Sequence, residues 1–580
     1  MQLRSLFSRA SVKPTSVGQP SDSPDGRRNF QAKSALLLLV SLLATLLVTP
    51  LALAEDKYEA EALPFSSQLR GEEQADNWTS WGHDVLNTRY NPFATEIKPG
   101  NVDKLKLKWA FVFPGATAAS SQPAILGDTL YVGSWNAKFY ALNSKTGQVQ
   151  WSYDTASFTG ALPAGANAVR NGPAIAGGKV YFGDLAGNIY ALDARTGAFK
   201  WAKKLDNHPT VRLTSSPLVW QGRLYIGVSS AETGFALDPR YECCSFQGSM
   251  VALNAESGAE IWRYRTISEP NSPTGTNSAG TTQRGPSGAP VWSSPAIDPL
   301  LGLVYFGTGQ NYSNPPTTHS DSLIALELAT GKQRWATQLT PNDRWNLACN
   351  PELFGLPAVP QANCPLPLKD NNDFDFGSSP NVFLAFKDGK LRTLVGAGQK
   401  SGIYHSLDAA TGEIVWQTQV SLGGVGGSGG IQWGTSWDGV HLYVATHQAN
   451  PGSLNALDPA TGRIVWTSKN PADGCTTGGG AGDPDCRLAM PAATTSIPGL
   501  VFEGSWDGKL RAYNARDGKI AWQYDTRQNF TGTNGLTGRG GSINGAGVSV
   551  TNGLLYVNSG YQPFPLAGMA GNVLLAFAVK

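Results

Sequence analysis

The residues with the most distinctive chemistry in this 580-residue chain are its six cysteines. Cys349 with Cys364, and Cys475 with Cys486, are near enough in sequence to staple polar loops that contain Pro or Gly. Cys243 and Cys244 are adjacent, and two neighbouring cysteines bond only by closing a small ring that leaves a rigid, flat sulfur surface. No Cys-x-x-Cys-His occurs and no cysteine group has iron–sulfur spacing, so the sequence supplies no covalent c-type haem and no cluster of its own. Any redox chemistry would have to use another cofactor.

The bulk composition narrows the elements that hold these residues. With 45 Lys and Arg against 43 Asp and Glu, the net charge of +2 gives no field for a polyanion, which argues against nucleic acid as a partner. At 41% hydrophobic and 15% charged the chain is a folding one, and 67 Gly, 37 Pro and 17 Trp point to many short strands joined by tight turns. Helical bundles and coiled coils are excluded. Residues 1–33 are basic and Ser/Pro-rich, and contain Arg27-Arg28-Asn29-Phe30. An uncharged run from Ser34 follows and closes on Ala52-Leu53-Ala54. This layout predicts a secretory signal over 1–54, cleaved after Ala54, with paired arginines resembling a twin-arginine export signal. A short extension (55–76) and a main body (77–580) follow. No later segment has the roughly 18 continuous apolar residues of a membrane helix, so a periplasmic chain without stable membrane insertion is expected.

One phrase recurs through the body. Leu130-Tyr-Val-Gly, Phe139-Tyr-Ala-Leu-Asn143, Thr146-Gly147 and Trp151 return as Val180-Tyr-Phe-Gly, Ile189-Tyr-Ala-Leu-Asp193, Thr196-Gly197 and Trp201. Further copies end at Trp262, Trp335, Trp416, Trp466 and Trp522. Each reads as strands joined by a turn in which Gly supplies a positive φ, followed by a strand carrying Trp. A four-stranded unit repeated at this length is a propeller blade. Trp109 lacks a preceding hairpin, and Leu554-Leu-Tyr-Val-Asn with Asn572-Val-Leu-Leu-Ala-Phe-Ala supply the missing strands. The prediction is therefore an all-β, eight-bladed propeller with four-stranded antiparallel blades, closed by pairing of carboxy-terminal with amino-terminal strands.

Asn77-Trp78-x3-Gly82, Asn87-Thr-Arg-Tyr90, Asn101-Val102 and Leu105-x3-Trp109 resemble the amino-terminal pattern of the quinoprotein alcohol dehydrogenases, which depend on pyrroloquinoline quinone (PQQ). Trp292-x5-Asp298 running into Val304-Tyr-Phe-Gly-Thr-Gly309 resembles that family's second pattern. Glu242-Cys-Cys-Ser-Phe-Gln-Gly248, Gly285-Pro-Ser-Gly288 and Asp373-Phe-Asp-Phe-Gly377 look most like the polyvinyl alcohol dehydrogenases, in a form without a cytochrome c domain. The resemblance covers about 75–580. It implies an eight-bladed propeller that holds PQQ and calcium at its mouth and oxidises alcohol groups, with a separate acceptor such as cytochrome c taking the electrons. A non-catalytic propeller scaffold of the outer-membrane assembly type is the competing reading, since such scaffolds share the Trp-anchored blades.

PQQ is a flat tricarboxylate, so its site needs stacking faces, cations, and hard oxygen ligands for the metal. The resemblance implies Trp292 for stacking, and Trp292 falls outside the repeat position of the other blade tryptophans. It further implies Arg170 and Lys400 for carboxylates, Thr214 and Ser229 as hydroxyl donors, and Trp433 as a pocket wall. The pair Cys243-Cys244 is expected in the pocket roof. For the metal it implies Glu232, an amide from Gln310 or Asn311, and the catalytic carboxylate. That carboxylate should follow Thr340-Pro-Asn-Asp-Arg-Trp345, but Asn346 stands there, and a neutral amide cannot accept the substrate's proton. Lys400-Ser-Gly402 resembles a cofactor-binding turn that follows the base by about 27 residues, which selects Asp373, with Asp375 second. A strand is expected to begin there.

Overall fold

The computed structural model describes residues 76–163, 165–351, 362–365, 372–424, 429–447, 451–477, 482–562 and 568–580. The expected signal over 1–54, and all of the expected extension except residue 76, lie outside the described residues.

Eight antiparallel sheets form the ring, two further two-stranded hairpins (Ser272–Thr276 with Thr282–Gly285, and Asn529–Thr531 with Thr537–Arg539) lie outside the blades, and among the described residues helix is confined to single turns such as Ala156–Thr159 and Glu232–Phe235. In blade 1 the strands are Ala124–Leu126, Thr129–Gly133, Lys138–Asn143 and Val149–Asp154, from innermost to outermost. The second and third are almost wholly buried, whereas the outermost alternates exposed and half-buried residues. This is the pattern of a sheet covered on both faces except at its rim. Blade 8 joins Ser549–Thr551, Leu554–Ser559 and Val573–Val579 to Leu105–Val112, with Leu105 opposite Val579 and Val112 opposite Val573. The ring therefore closes as the repeat predicts, and pairing the two ends removes two sheet edges.

The recurring Trp and Gly are the two halves of one joint. Each outer-strand Trp donates its indole N–H to a carbonyl of the next blade, from Trp109 to Ser144, Trp151 to Ala194, and so on to Trp522 and Leu105, at 2.9 to 3.3 Å. The turn glycine of that next blade lies flat against the same indole: a Cβ at Gly147, Gly197, Gly258, Gly331, Gly412, Gly462 or Gly518 would come within 2.4 to 2.7 Å of the ring. Glycine is thus required twice there, for positive φ and for close approach.

The amino-terminal pattern serves as a seal. Trp78 exchanges both backbone hydrogen bonds with Ile125 of blade 1, and Thr79, Val85, Leu86, Thr88 and Arg89 offer carbonyls to Ile175, Ile297, Val382, Trp437 and Ser496. Asn91 Nδ2 then donates to the Val550 carbonyl. Seven of the eight innermost strands are tied to one short segment, which crosses the ring at its axis. Arg89 is fully buried at its centre, donating to the carbonyls of Trp81 and Thr494, with its guanidinium 4.9 Å from the Trp81 ring.

Candidate active site

Innermost strands of a propeller all run the same way along the axis, so the connections leading into them share one end of the ring. There they build a cleft lined by Ser120, Arg170, Asn171, Thr214, Trp292, Ser293, Ser294, Gly377, Ser379, Trp433, Gly545 and Ala546, with Trp81 of the amino-terminal segment beneath. It holds about 310 Å³ of empty space, counted with its open side.

Two indoles form its apolar walls. Trp292 and Trp433 meet edge to face with centroids 5.4 Å apart. Trp433 has a φ of +59° and is fixed by donating to Asn544 Oδ1 at 2.7 Å. Gly377 is required behind Trp292, because a Cβ there would stand 2.0 Å from the indole. Arg170 lies over Trp433, its guanidinium carbon 4.4 Å from the ring, and donates to Tyr561 Oη at 3.0 Å. Thr214 and Ser229 share a hydroxyl hydrogen bond of 2.9 Å.

A buried charge group backs the Trp292 wall. Lys400 Nζ lies 3.2 Å from both oxygens of Asp373 and 3.0 Å from Asp375 Oδ2. The same Asp375 oxygen accepts from Trp292 Nε1 at 3.0 Å, and Asp375 Oδ1 accepts from the backbone N–H of Gln310 at 2.8 Å. Burial pushes Asp373 up to about 8; Lys400 pulls it down, while Asp375 and Asp343 push it further up. Burial works against the Lys400 ammonium, but Asp373 and Asp375 outweigh it and hold its pKa above the ordinary value. Asp373 has a φ of +55°. Its turn is gripped by Asp343, whose carboxylate accepts from the amides of Phe374 at 2.7 Å and Asp373 at 3.3 Å. The strand expected to begin at Asp373 starts later, at Asn381–Lys387, leaving both carboxylates in the connection where the cleft is built.

The sequence pointed to Asp343 only as part of the Thr-Pro-x-Asp segment; its grip on the Asp373 turn appears only in three dimensions. Tyr561 and Asn544 carried no sequence signal at all, since they meet Arg170 and Trp433 from across the ring. Asn346 is structural: it donates to the carbonyls of Tyr312 and Asn363 and caps the turn Leu347–Cys349.

The other expected metal and roof residues stand behind the cleft, with most of their atoms engaged. Glu232 is fully buried and accepts from Tyr241 Oη at 2.9 Å and from the amides of Ser245 and Phe246 at 2.8 Å each. Cys243 and Cys244 are disulfide-bonded, as are Cys349 with Cys364 and Cys475 with Cys486. The adjacent pair is buried in an apolar cluster with Val211, Leu213, Phe246 and Tyr312, and is not among the residues lining the cleft. Asn311 Oδ1 accepts from the Thr317 amide at 2.8 Å, whereas Gln310 Oε1 is buried with no donor among the described residues. Of the two amides, Gln310 has the oxygen a hard cation can use. Among the described residues no three His, Cys, Asp or Glu side chains converge as a ready metal cage. A cation here would therefore need amide oxygens, or oxygens of a bound cofactor, as well as carboxylates.

Comparison with known proteins agrees with this architecture. Residues 78–363 match the family model described as glucose/ethanol/alcohol dehydrogenase, beta-propeller domain, and residues 399–557 match that of the outer membrane protein assembly factor BamB. The chain is 35% identical over 523 residues to a polyvinylalcohol dehydrogenase of a Pseudomonas species, covering 87% of this chain and 77% of that one. It is 36% identical over 529 residues to a polyvinylalcohol dehydrogenase of Sphingopyxis sp. strain 113P3, with the same coverages. Among solved structures, a quinohemoprotein alcohol dehydrogenase of Pseudomonas putida superposes with a TM-score of 0.64 at 19% identity, covering 87% of this chain and 80% of the other.

Proposed function

Because the chain belongs to the PQQ-dependent alcohol dehydrogenases and is similar to their polyvinyl alcohol dehydrogenases over most of its length, we propose that it oxidises secondary alcohol groups, such as those of polyvinyl alcohol, to ketones. The observation that carries this reading is the Lys400–Asp373–Asp375 group set directly behind Trp292 in the cleft.

When bound, PQQ supplies a two-electron acceptor. Trp292 offers its indole face for stacking, and Arg170 and Lys400 place positive charge for carboxylates, with the Thr214 and Ser229 hydroxyls as further donors. Asp373 is the base: its carboxylate takes the hydroxyl proton of the alcohol as the carbon is oxidised. Lys400 favours the ionised form of that carboxylate against its burial, and Asp375 fixes the indole plane through the Trp292 N–H. Calcium is the metal expected, with Gln310 rather than Asn311 as its amide ligand and Asp373 as a carboxylate, whereas Glu232, which the resemblance implies, has its oxygens engaged by Tyr241, Ser245 and Phe246. Cys243-Cys244 stiffens the apolar cluster that it shares with Phe246 and Tyr312.

We place the enzyme in the periplasm after removal of residues 1–54, handing its electrons to a separate carrier such as a cytochrome c. Reconstitution with PQQ and calcium, followed by dye-linked oxidation of secondary alcohols, tests the reading, and full activity after exhaustive chelation and cofactor removal defeats it. The match of 399–557 to an assembly-factor model favours the scaffold alternative. That reading predicts no quinone binding and gives no reason for a buried base beside the cleft.

A further inference from the structure

The repeat contains one substitution that its own architecture does not ask for. In each blade the residue that opens the third strand offers its carbonyl to the amide just after the fourth. The pairs are Ala137 with Thr155, Gly187 with Leu205, Gly248 with Thr266, Asp321 with Leu339, Gly402 with Val420, Gly452 with Asn470, Gly508 with Thr526 and Asn572 with Phe113, at 2.8 to 3.0 Å. Five of these eight positions are Gly, one is Ala and one is Asn. Several have positive φ, including +64° at Ala137, +86° at Gly187, +82° at Gly402 and +73° at Gly508. Blade 4 alone puts a carboxylate there, at a φ of +48°. Backbone geometry is served by glycine, so the side chain of Asp321 has to be explained by what surrounds it.

That side chain is fully buried, and neither of its oxygens has a hydrogen-bond donor among the described residues. Its pKa stands well above the ordinary value, first through burial and then through the negative charges of Asp343, Asp375 and Asp373, with Lys400 opposing. The other three carboxylates have donors: Lys400 for Asp373, Lys400, Trp292 and Gln310 for Asp375, and two backbone amides for Asp343. The Asp321 amide donates to the Gly309 carbonyl at 3.1 Å, which brings its backbone next to that of Gln310, whose Oε1 is a third buried oxygen with no donor among the described residues. Four buried carboxyls face one ammonium, and three oxygens there, two on Asp321 and one on Gln310, have no donor among the described residues. Buried acceptors in that state are costly unless a proton, an enclosed water or a cation satisfies them, and a cation could serve the Asp321 carboxylate and the Gln310 oxygen together.

We propose that Asp321 and the Gln310 amide oxygen are ligands for a hard divalent cation of the calcium class, held behind Asp373 and Asp375. The proposal rests on reading this end of the ring as the active site. It assigns the site a carboxylate that the family resemblance did not, and it draws on oxygens that are not already occupied, unlike those of Glu232 and Asn311. Oxygen ligands from a carboxylate and an amide are the set calcium prefers.

The experiment is a calcium titration of the purified chain by calorimetry, with and without PQQ, repeated with terbium and its tryptophan-sensitised luminescence. Wild type is compared with Asp321→Gly and Asp321→Asn, the glycine variant being what the fold carries at this position in other blades. The expected result is a calcium-dependent rise in Tm for wild type. Asp321→Gly should show at least a tenfold loss of calcium and terbium affinity, with a metal-free Tm equal to or above that of wild type, and Asp321→Asn should fall between. Wild-type affinity in the glycine variant, as an enclosed water on Asp321 would give, overturns the proposal, as does a wild-type chain that binds no calcium in either state. The enzymatic reading fails separately, by absence of quinone binding and alcohol oxidation. A chain that oxidises alcohols while Asp321→Gly keeps full calcium affinity removes only Asp321 from the metal.

Discussion

Lys400 Nζ stands equidistant, at 3.2 Å, from the two carboxylate oxygens of Asp373, although the two residues lie 27 positions apart on either side of a strand pair. The ammonium therefore bears on Asp373 as a charge rather than through one directional bond. Burial wins the contest all the same and leaves the carboxyl at about 8. For a base this fixes a sign: the active form is the ionised one, so kcat/KM should climb with pH and level off above about 8. Lys400→Met removes the main influence lowering that pKa, so the limb should move to higher pH. Each whole pH step that it moves should cut the rate at pH 7 by about tenfold. A pH profile at saturating quinone checks this, and an unmoved or more acidic limb removes Asp373 as the base.

Trp292 is expected to act through its ring face and its N–H separately. Trp292→Ala should weaken quinone binding by at least about tenfold, the order of one aromatic stacking contact. Trp292→Phe should keep most of the affinity but release Asp375, which loses a 3.0 Å hydrogen bond. Fluorescence titration with PQQ measures both, and equal losses in the two variants would mean that the N–H rather than the face carries the effect.

Arg170 is aimed by Tyr561, and the two should respond differently to truncation. Arg170→Met removes a charged partner for a carboxylate, worth about 1.5–3 kcal/mol, which is roughly ten- to a hundredfold in quinone affinity. Tyr561→Phe removes only the hydroxyl that receives Arg170 Nη2, and about 1 kcal/mol is expected. Quinone titrations of the single and double variants test the coupling, which should make the double variant less than additive.

Glu232 has an assignment from the resemblance and a different set of partners in the fold. Its bonds to Tyr241, Ser245 and Phe246 fasten the segment that follows the adjacent disulfide. Glu232→Gln should therefore lower stability by about 2 kcal/mol, as a drop in denaturation midpoint, through loss of charge-assisted hydrogen bonds. A variant of undiminished stability with weakened calcium binding would instead make Glu232 a metal ligand.

Gly412 tests the joint between blades away from the cleft. Its φ is +76°, and an added Cβ would lie 2.6 Å from the Trp335 indole, so Gly412→Ala combines backbone strain with overpacking. A loss of about 2–3 kcal/mol is expected in chemical denaturation, with KM unchanged. A neutral effect would show that the joint yields.

The sequence by itself determined the ring. A Trp and a Gly that must touch across each blade boundary recur together because every joint makes the same demand, so blade count, strand order and closure were all legible from local repetition. The three disulfides were legible too, being local or adjacent pairs. Asp373, Asp375 and Lys400 are singled out only through the family resemblance, whose cofactor-binding turn follows its base by about 27 residues. What only the tertiary structure decided is everything that meets across the axis. Tyr561 on Arg170, Asn544 on Trp433, the amino-terminal segment threading seven innermost strands, and Asp343 gripping the Asp373 turn join residues whose separation in sequence carries no period. Nor does sequence say which oxygens are already taken. The resemblance implies Glu232 as a ligand and leaves the choice between Gln310 and Asn311 open, and the three differ once the fold gives Glu232 and Asn311 hydrogen-bond donors and leaves Gln310 Oε1, like Asp321, with none among the described residues. A buried acceptor is defined by what surrounds it, and those surroundings are assembled from several blades at once.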